Sequence, residues 1–498
     1  MENNRTSAFE MGGDEFKKIG HQLVDAIAVF LETIKEKPVT TGETPKQIQE
    51  ILGDASLPEN GSAAEDIITK SSQLLINHSL LNGHPKFFGY ITSSPAPIAA
   101  LADLLAASVN PNVGANILSP MATAIEKQTV QWLAEFIGVS NNWGGLLVSG
   151  GNMANFTAFL AARTAKAPKN LKEDGLANLE NEMVFYCSKA THTWIEKAAI
   201  LFGHGTKAIR WIATDAENKM DTALLVETIK ADEKNGKTPF LVIGNAGDVS
   251  TGVVDDLVAI ANICKAHNLW FHIDGAYGIP AAIVPGYMQL FNGMQNADSI
   301  ALDPHKWLYA PLEAGCILVK NPQHLIDTYS SHAAYYNFNS QGEEPSLNYY
   351  EFGFQNSRGF RALKVWMALQ QVGKSGYINI IKEDIKLAEL LFSEAKKHAE
   401  LDVVSQNLSI TTLQYVPLEY RHQQKENKVY LNKLNEHLLN NLQQGGEVFL
   451  SNAVINDKYC LRACIVNFRT SQKDIYEVIE IVVREGRKLH ELLNRIDV

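Results

Sequence analysis

Apolar and polar positions alternate along the chain with two periods. From His21 to Lys37 the apolar residues Leu23, Val24, Ile27, Phe30, Leu31 and Ile34 fall on one face of a helix, and residues 63–81 form a second amphipathic stretch. Residues 1–15 read as frayed. These early helices are too few to bury both of their faces, so they are expected to pack on another surface such as a second subunit. Residues 98–109 and 121–137 are helical, joined by NPNVGANILSP. From Leu146 the period changes. Short apolar runs recur at 183–188, 208–213, 239–244, Leu269–Ile273, Ser299–Leu302 and 315–320. Helical stretches separate several of them, TWIEKAAILFG and then 255–267 with its stripe Leu257, Ile260, Ala261 and Cys264. Continuous apolar strands alternating with helices predict an α/β fold whose sheet is mostly parallel and covered on both faces.

Three stretches break this rhythm. Residues 83–97, GHPKFFGYITSSPAP, combine aromatics, Gly and Pro and read as a loop, either a packed connection or a pocket wall. Residues 165–182 read as a charged surface connection. Residues 328–357 have no clear period and many tyrosines, and a loop of that length in a compact domain is usually a lid or disordered. Arg358 to Gly373 and Ile378 to His398 then read as helices. Residues 399–498 alternate again as strand SITTLQYV, helix 429–442, strand YCLRACIVN and helix 472–494, a smaller α/β unit.

Composition narrows the classes of partner. At 498 residues the chain is too long for one ordinary core. Its formal net charge of -11 argues against nucleic acid or an anionic membrane as partner. No uncharged apolar run is long enough to span a bilayer, and no basic, apolar leader opens the chain, so a cytoplasmic location is expected. Cys187, Cys264, Cys316, Cys460 and Cys464 show neither a CxxC pair nor metal-ligand spacing, as inert thiols of a reducing compartment would, and no metal site is expected.

The candidate chemistry concentrates between Phe271 and Trp307. One strand ends in Asp274 and the next in Asp303-Pro304-His305-Lys306-Trp307. Ligands of open α/β sheets bind at such strand ends. A fixed acid beside a fixed amine suits a carbonyl cofactor: Lys306 would form a Schiff base, and Asp274 would keep a pyridine nitrogen protonated. Earlier in the chain, Leu146–Val148 runs into Ser149-Gly150-Gly151-Asn152 and a helix. Glycines let the backbone approach an anion, and the helix start offers free N–H groups, so a phosphate fits there. Each residue also has a purely structural reading: Asp274 as a helix N-cap, His192 as a capping or core residue, the glycines as a tight turn.

HPKFF, SPMATAIE, SGGNMAN, THTWIEKA, HIDGAYG, DPHKW, SRGFRALKVW and LRACIVNFRT occur in this order. With these motifs the chain, from about residue 18 onward, resembles the group II pyridoxal-phosphate (PLP) amino-acid decarboxylases that act on aromatic amino acids, glutamate and histidine. The resemblance implies the type I, aspartate aminotransferase-like PLP fold with a mostly parallel seven-stranded sheet, and a homodimer with its site at the subunit interface. It implies a helical N-terminal segment (1–85) packing on the partner, a large PLP-binding α/β domain (86–373) and a small C-terminal α/β domain (374–498). Carried onto this sequence, Lys306 holds the cofactor and Asp274 pairs with its nitrogen. Ala276 packs on one ring face and His192 on the other. Gly150, Gly151, Asn152 and His305 lie by the phosphate and the Schiff base. Tyr335, with Tyr336 one residue off, fits the loop tyrosine that protonates the carbanion. Tyr90, Thr92, Asn112 and His192 are the substrate contacts.

The sequence departs from the family in places. Asp248 stands where many members carry threonine, Ile91 replaces an aromatic, and Asn112 and Gly114 fall where aromatic decarboxylases carry bulky residues. An aromatic L-amino acid (tyrosine, DOPA, tryptophan or phenylalanine) is the leading expected substrate. The alternatives are an acidic one (glutamate, aspartate or cysteine sulfinate), an oxidative aldehyde synthase on the same scaffold, or a catalytically dead binding protein.

Overall fold

The computed structural model describes residues 7, 9–168, 170–331 and 347–496. Its large sheet contains β1 (Gly144–Val148), β2 (Met183–Ser188), β3 (Ile209–Ile212), β4 (Thr238–Asn245), β5 (Trp270–Asp274), β6 (Ser299–Leu302) and β7 (Gly315–Val319). Their spatial order is β1-β7-β6-β5-β4-β2-β3. β7 runs antiparallel to both of its neighbours, and every other pair is parallel. The sheet is therefore seven-stranded and mostly parallel, as the apolar runs predict.

Alternation along each strand divides the core in two. Phe271, Ile273, Ile300, Leu302 and Leu318 pack with helices Pro120–Ile137 and Leu257–Ala266 on one face. Trp270, Ala301, Ile317 and Val319 pack on the other with helix Gly151–Lys166, in which every residue from Ala154 to Ala162 is buried. A helix apolar all round belongs inside the protein. Its first turn therefore sits against the strand ends.

The C-terminal unit holds β8 (Leu401–Asn407), β9 (Ile410–Tyr415), β10 (Ser451–Ile455) and β11 (Lys458–Cys464), an antiparallel sheet of order β10-β11-β9-β8. Helices Lys428–Gly445 and Gln472–Ile496 accompany it.

Several sequence expectations are corrected. The first helix spans Gly13–Thr33 and so starts inside the 1–15 stretch expected to fray; Asp14 and Glu15 in its first turn complement the helix dipole. The connection at 165–182 contains a short helix, Leu171–Asp174. Helices Pro45–Leu52 and Thr222–Lys234 and strands β8 and β10 were not anticipated. Arg358 is not helical. The helix begins at Ala362 and runs to Lys397, with Gly373 at φ 66° breaking its path. Arg358 is drawn instead into a buried ion pair with Glu126, 2.5 Å away, and its guanidinium also donates to the carbonyls of Val113 and Leu147. That contact braces the end of β1. Tyr335 and Tyr336 lie outside the described residues.

Candidate active site

A cavity of about 560 Å³ opens at the carboxyl ends of the parallel strands. Asp274 closes β5, Asp303 follows β6, Ser149–Asn152 follow β1, and His192 comes shortly after β2. Tyr90, Ile91 and Thr92 of the aromatic loop and Ser451, Asn452 and Arg462 of the C-terminal sheet complete the wall. The fold thus gathers Lys306, Asp274, Ala276, His192, Gly150, Gly151, Asn152, His305, Tyr90 and Thr92 around one space. Asn112 lies outside this lining; its amide oxygen accepts from the backbone N–H groups of Gly114 and Arg358.

Asp274 is buried at the strand end. Its Oδ2 accepts from the Trp194 indole nitrogen at 2.7 Å and from Asn155 Nδ2 at 3.3 Å, and Oδ1 accepts from the Ala276 amide at 3.3 Å. Two side-chain donors on one oxygen fix the direction in which the carboxyl group is held. Sequence reading missed both. They stand inside the motifs it did find, THTWIEKA and SGGNMAN, four residues past Gly151 and two past His192.

Lys306 Nζ lies 3.2 Å from Asp303 Oδ2, and His305 Nε2 is 3.5 Å from the same oxygen. His305 Nδ1 accepts from the Ala314 amide at 3.0 Å. Burial holds the His305 pKa below the ordinary histidine range. His192 Nδ1 accepts from the Trp194 amide at 3.3 Å. His192 keeps an accessible edge, yet desolvation by the protein packed around its ring is the main cause lowering its pKa. Both imidazoles are therefore suited to stay neutral and stack or accept. The Lys306 turn is fixed from below: Trp307 Nε1 donates to Asp384 at 2.8 Å, and the Tyr309 hydroxyl donates to the same carboxylate.

The Gly150–Gly151 turn is a cradle that a side chain would fill. A Cβ on Gly151 would stand 2.7 Å from Asp303 Oδ2, and one on Gly150 would stand 3.1 Å from His305 Cε1. The helix starts at Gly151, so its first amides have no partner within the helix and are offered to an anion. The donor set fits PLP: cradle and amides for the phosphate, a primary amine for the carbonyl, and a hydrogen-bonded carboxylate for the ring nitrogen. Asp248 serves its own loop instead. It accepts from the amides of Ser250, Thr251 and Val253 and from the Thr251 hydroxyl. Arg462 is 3% exposed. It donates to Ser451 Oγ at 3.1 Å, to the Tyr90 carbonyl at 2.7 Å and to the Val249 carbonyl. Tyr90 itself adopts a left-handed backbone with φ 50°.

Comparison with known proteins agrees with this geometry. Residues 45–415 match the model described as the pyridoxal-dependent decarboxylase conserved domain. The chain is 32% identical over 471 residues to the aromatic-L-amino-acid decarboxylase of Bacillus atrophaeus, across 94% of this chain and 95% of that protein. The solved structure of Oryza sativa TDC with PLP and tryptamine superposes with a TM-score of 0.89 at 23% identity, covering 97% of this chain and 100% of that one. Rhodiola rosea 4-hydroxyphenylacetaldehyde synthase superposes with a TM-score of 0.85 at 25% identity, covering 96% and 99%. Fold and site together define a PLP enzyme of the type I fold. The chain belongs to the pyridoxal-dependent decarboxylase family. It is a PLP-dependent amino-acid decarboxylase, a carboxy-lyase. No described helix is long and apolar enough to cross a membrane.

Proposed function

We propose that the enzyme converts an aromatic L-amino acid to its amine and CO2. The charge of the cavity wall carries this reading. Among the described lining residues the fixed cations are Lys306 and Arg462, against the carboxylates of Asp248, Asp274 and Asp303. Lys306 is committed to the cofactor, and the buried Arg462 already donates from all three of its nitrogens to Ser451, Val249 and Tyr90, so the wall offers little free positive charge to a second carboxylate. An acidic substrate would bring a second carboxylate into a wall already rich in them. The 32% identical relative bears the name of an aromatic-amino-acid decarboxylase, which supports the same choice.

Each side chain then has a task. Lys306 supplies the amine that holds the cofactor carbonyl carbon. Asp274 presents a carboxylate to the ring nitrogen. When bound, PLP supplies the electron sink for the pair left on Cα as CO2 departs. Arg462 ties the C-terminal sheet to the front wall through Ser451 and the Tyr90 carbonyl. With PLP bound, His192 and Ala276 would flank the ring, and Gly150, Gly151, Asn152 and His305 would lie by the phosphate and the carbonyl end. Thr92 and Tyr90 shape the front wall. Asn112 would reach a substrate only from the second subunit of a homodimer. Tyr335 delivers the proton to Cα.

The homodimer is supported by an apolar face that this protomer leaves open: Leu101, Leu104, Leu105 and Val109 on helix Pro97–Val109, with Ile117 and Met121 beyond it, are all at least 49% exposed. Five free, buried cysteines suit a cytoplasmic setting.

The test is a panel of purified enzyme with PLP and L-tyrosine, DOPA, L-tryptophan, L-phenylalanine, L-glutamate, L-aspartate and cysteine sulfinate. Amine and CO2 in equal amounts from an aromatic member are expected. No amine from any of the aromatic four overturns the substrate assignment. Aldehyde, ammonia and peroxide in place of amine would establish the oxidative alternative, which the aldehyde-synthase neighbour keeps in view.

A further inference from the structure

Asp274 ends a buried chain of hydrogen bonds that runs in one direction. Trp270, His272 and Asp274 alternate along β5, so all three point to the same face of the sheet. Parallel pairing sets His272 opposite Ser299 of β6, and helix Gly151–Lys166 brings Asn155 over that face. The Trp270 indole N–H, which can only donate, lies 2.8 Å from Ser299 Oγ. Ser299 therefore keeps its own hydrogen for Nδ1 of His272, 2.9 Å away. His272 Nε2 meets Asn155 Oδ1 at 2.7 Å. An amide oxygen only accepts, so the ring proton sits on Nε2. The other end of the Asn155 amide donates to Asp274 Oδ2, beside the Trp194 donor. Trp270, Ser299, His272 and Asn155 are each at most 1% exposed, so water does not compete for any link.

We infer that Asn155, His272 and Ser299 are positioning residues that aim the Asp274 side chain before any cofactor arrives. Both side-chain partners of Oδ2 donate, so the order of donors holds that oxygen as an acceptor in one direction. Charging His272 would break the order, and burial opposes this by lowering its pKa to about 4. Ser299, His272 and Trp270 lie outside the cavity lining and reach it through Asn155 and Asp274, both of which are on it. The inference rests on the reading that Asp274 pairs with the cofactor ring nitrogen.

The experiment compares PLP with its 1-deaza analogue, in which a C–H replaces the ring nitrogen. Dissociation constants for both are measured on wild-type, His272→Phe and Ser299→Ala apo-protein by fluorescence quenching, without turnover. His272→Phe keeps a planar aromatic ring, somewhat larger, and removes both hydrogen bonds. It is expected to weaken PLP binding by about tenfold, the size of one charge-assisted hydrogen bond, while leaving analogue binding unchanged. Ser299→Ala, smaller by one oxygen, is expected to shift PLP binding in the same direction and carries the comparison if His272→Phe does not fold. An equal loss for both ligands, or no loss for either, in a wild type that prefers PLP overturns the relay and leaves the Asp274 reading standing. A wild type that binds both ligands equally overturns the Asp274 reading itself, and the inference with it.

Discussion

The indole nitrogen of Trp194 stands 2.7 Å from Oδ2 of Asp274, although the two residues are 80 positions apart in the chain. The same helix start that carries His192 to the cavity wall thus anchors the carboxylate at the end of β5. A hydrogen bond to a charged group contributes roughly 1.5–3 kcal/mol. Trp194→Phe is therefore expected to lower PLP affinity by about tenfold to a hundredfold, with a parallel fall in kcat/KM. Equilibrium titration of the apo-protein with PLP measures the first, and unchanged affinity would remove Trp194 from the cofactor's support.

The Arg358–Glu126 pair is a stability element under the phosphate cradle. Both side chains are essentially fully buried, and Glu126 Oε1 also accepts from the Leu147 amide at 2.9 Å. Removing one partner strands the other charge, which costs about 3–5 kcal/mol. Glu126→Ala or Arg358→Ala should lower the thermal midpoint sharply, and the paired apolar change Glu126→Leu with Arg358→Met should recover much of the loss. Thermal unfolding followed by circular dichroism distinguishes these outcomes.

Asp384 gives stability a pH dependence of defined sign. Burial raises its pKa to about 7, partly opposed by the Tyr309 and Trp307 donors. The folded state then holds a proton that the unfolded chain releases near the ordinary aspartate value of about 3.9. This contribution is complete below that value and is lost as pH rises through about 7. Asp384→Asn keeps a carbonyl oxygen as acceptor and cannot ionise. Chemical denaturation at pH 5 and pH 8 should show the variant gaining on the wild type at the higher pH.

Tyr335 tests the fate of the Cα carbanion. Under the proton-donor role proposed for Tyr335, replacing its phenol in Tyr335→Phe should slow proton delivery and leave the pair on Cα longer for oxygen to intercept. The product ratio should move from amine toward aldehyde with peroxide, read by chromatography and a coupled peroxide assay. An unchanged amine yield would assign the proton to another donor.

Much of the fold was legible because its signals are local. Buried parallel strands are apolar throughout, so β2, β4, β5 and β6 stand out of the sequence within a residue or two of their bounds. Strands β8 and β10 did not, and both are edges of the C-terminal sheet. β10 keeps only alternate residues buried and β8 is mostly half-buried, so neither carries a continuous apolar run. Helix Thr222–Lys234 had a readable start in Asp221, whose side chain caps the amides of Ala223 and Leu224, but its stripe is weak. Arg358 failed as a helical residue because a buried carboxylate 232 positions away claims it.

The sequence alone determined which groups could do chemistry and roughly where. Strand-end Asp274 and Lys306, the Gly150–Gly151 turn and His192 are properties of short segments, whose spacing on a parallel sheet sends them to one edge. Only the tertiary structure decided what makes those groups work. Trp194 and Asn155 reach Asp274, Asp384 grips Trp307, and Arg462 crosses from β11 to the cavity wall because packing brings distant segments together. A hydrogen bond between segments that far apart leaves no periodicity in the chain; it exists only once the helix is laid on the sheet and water is excluded.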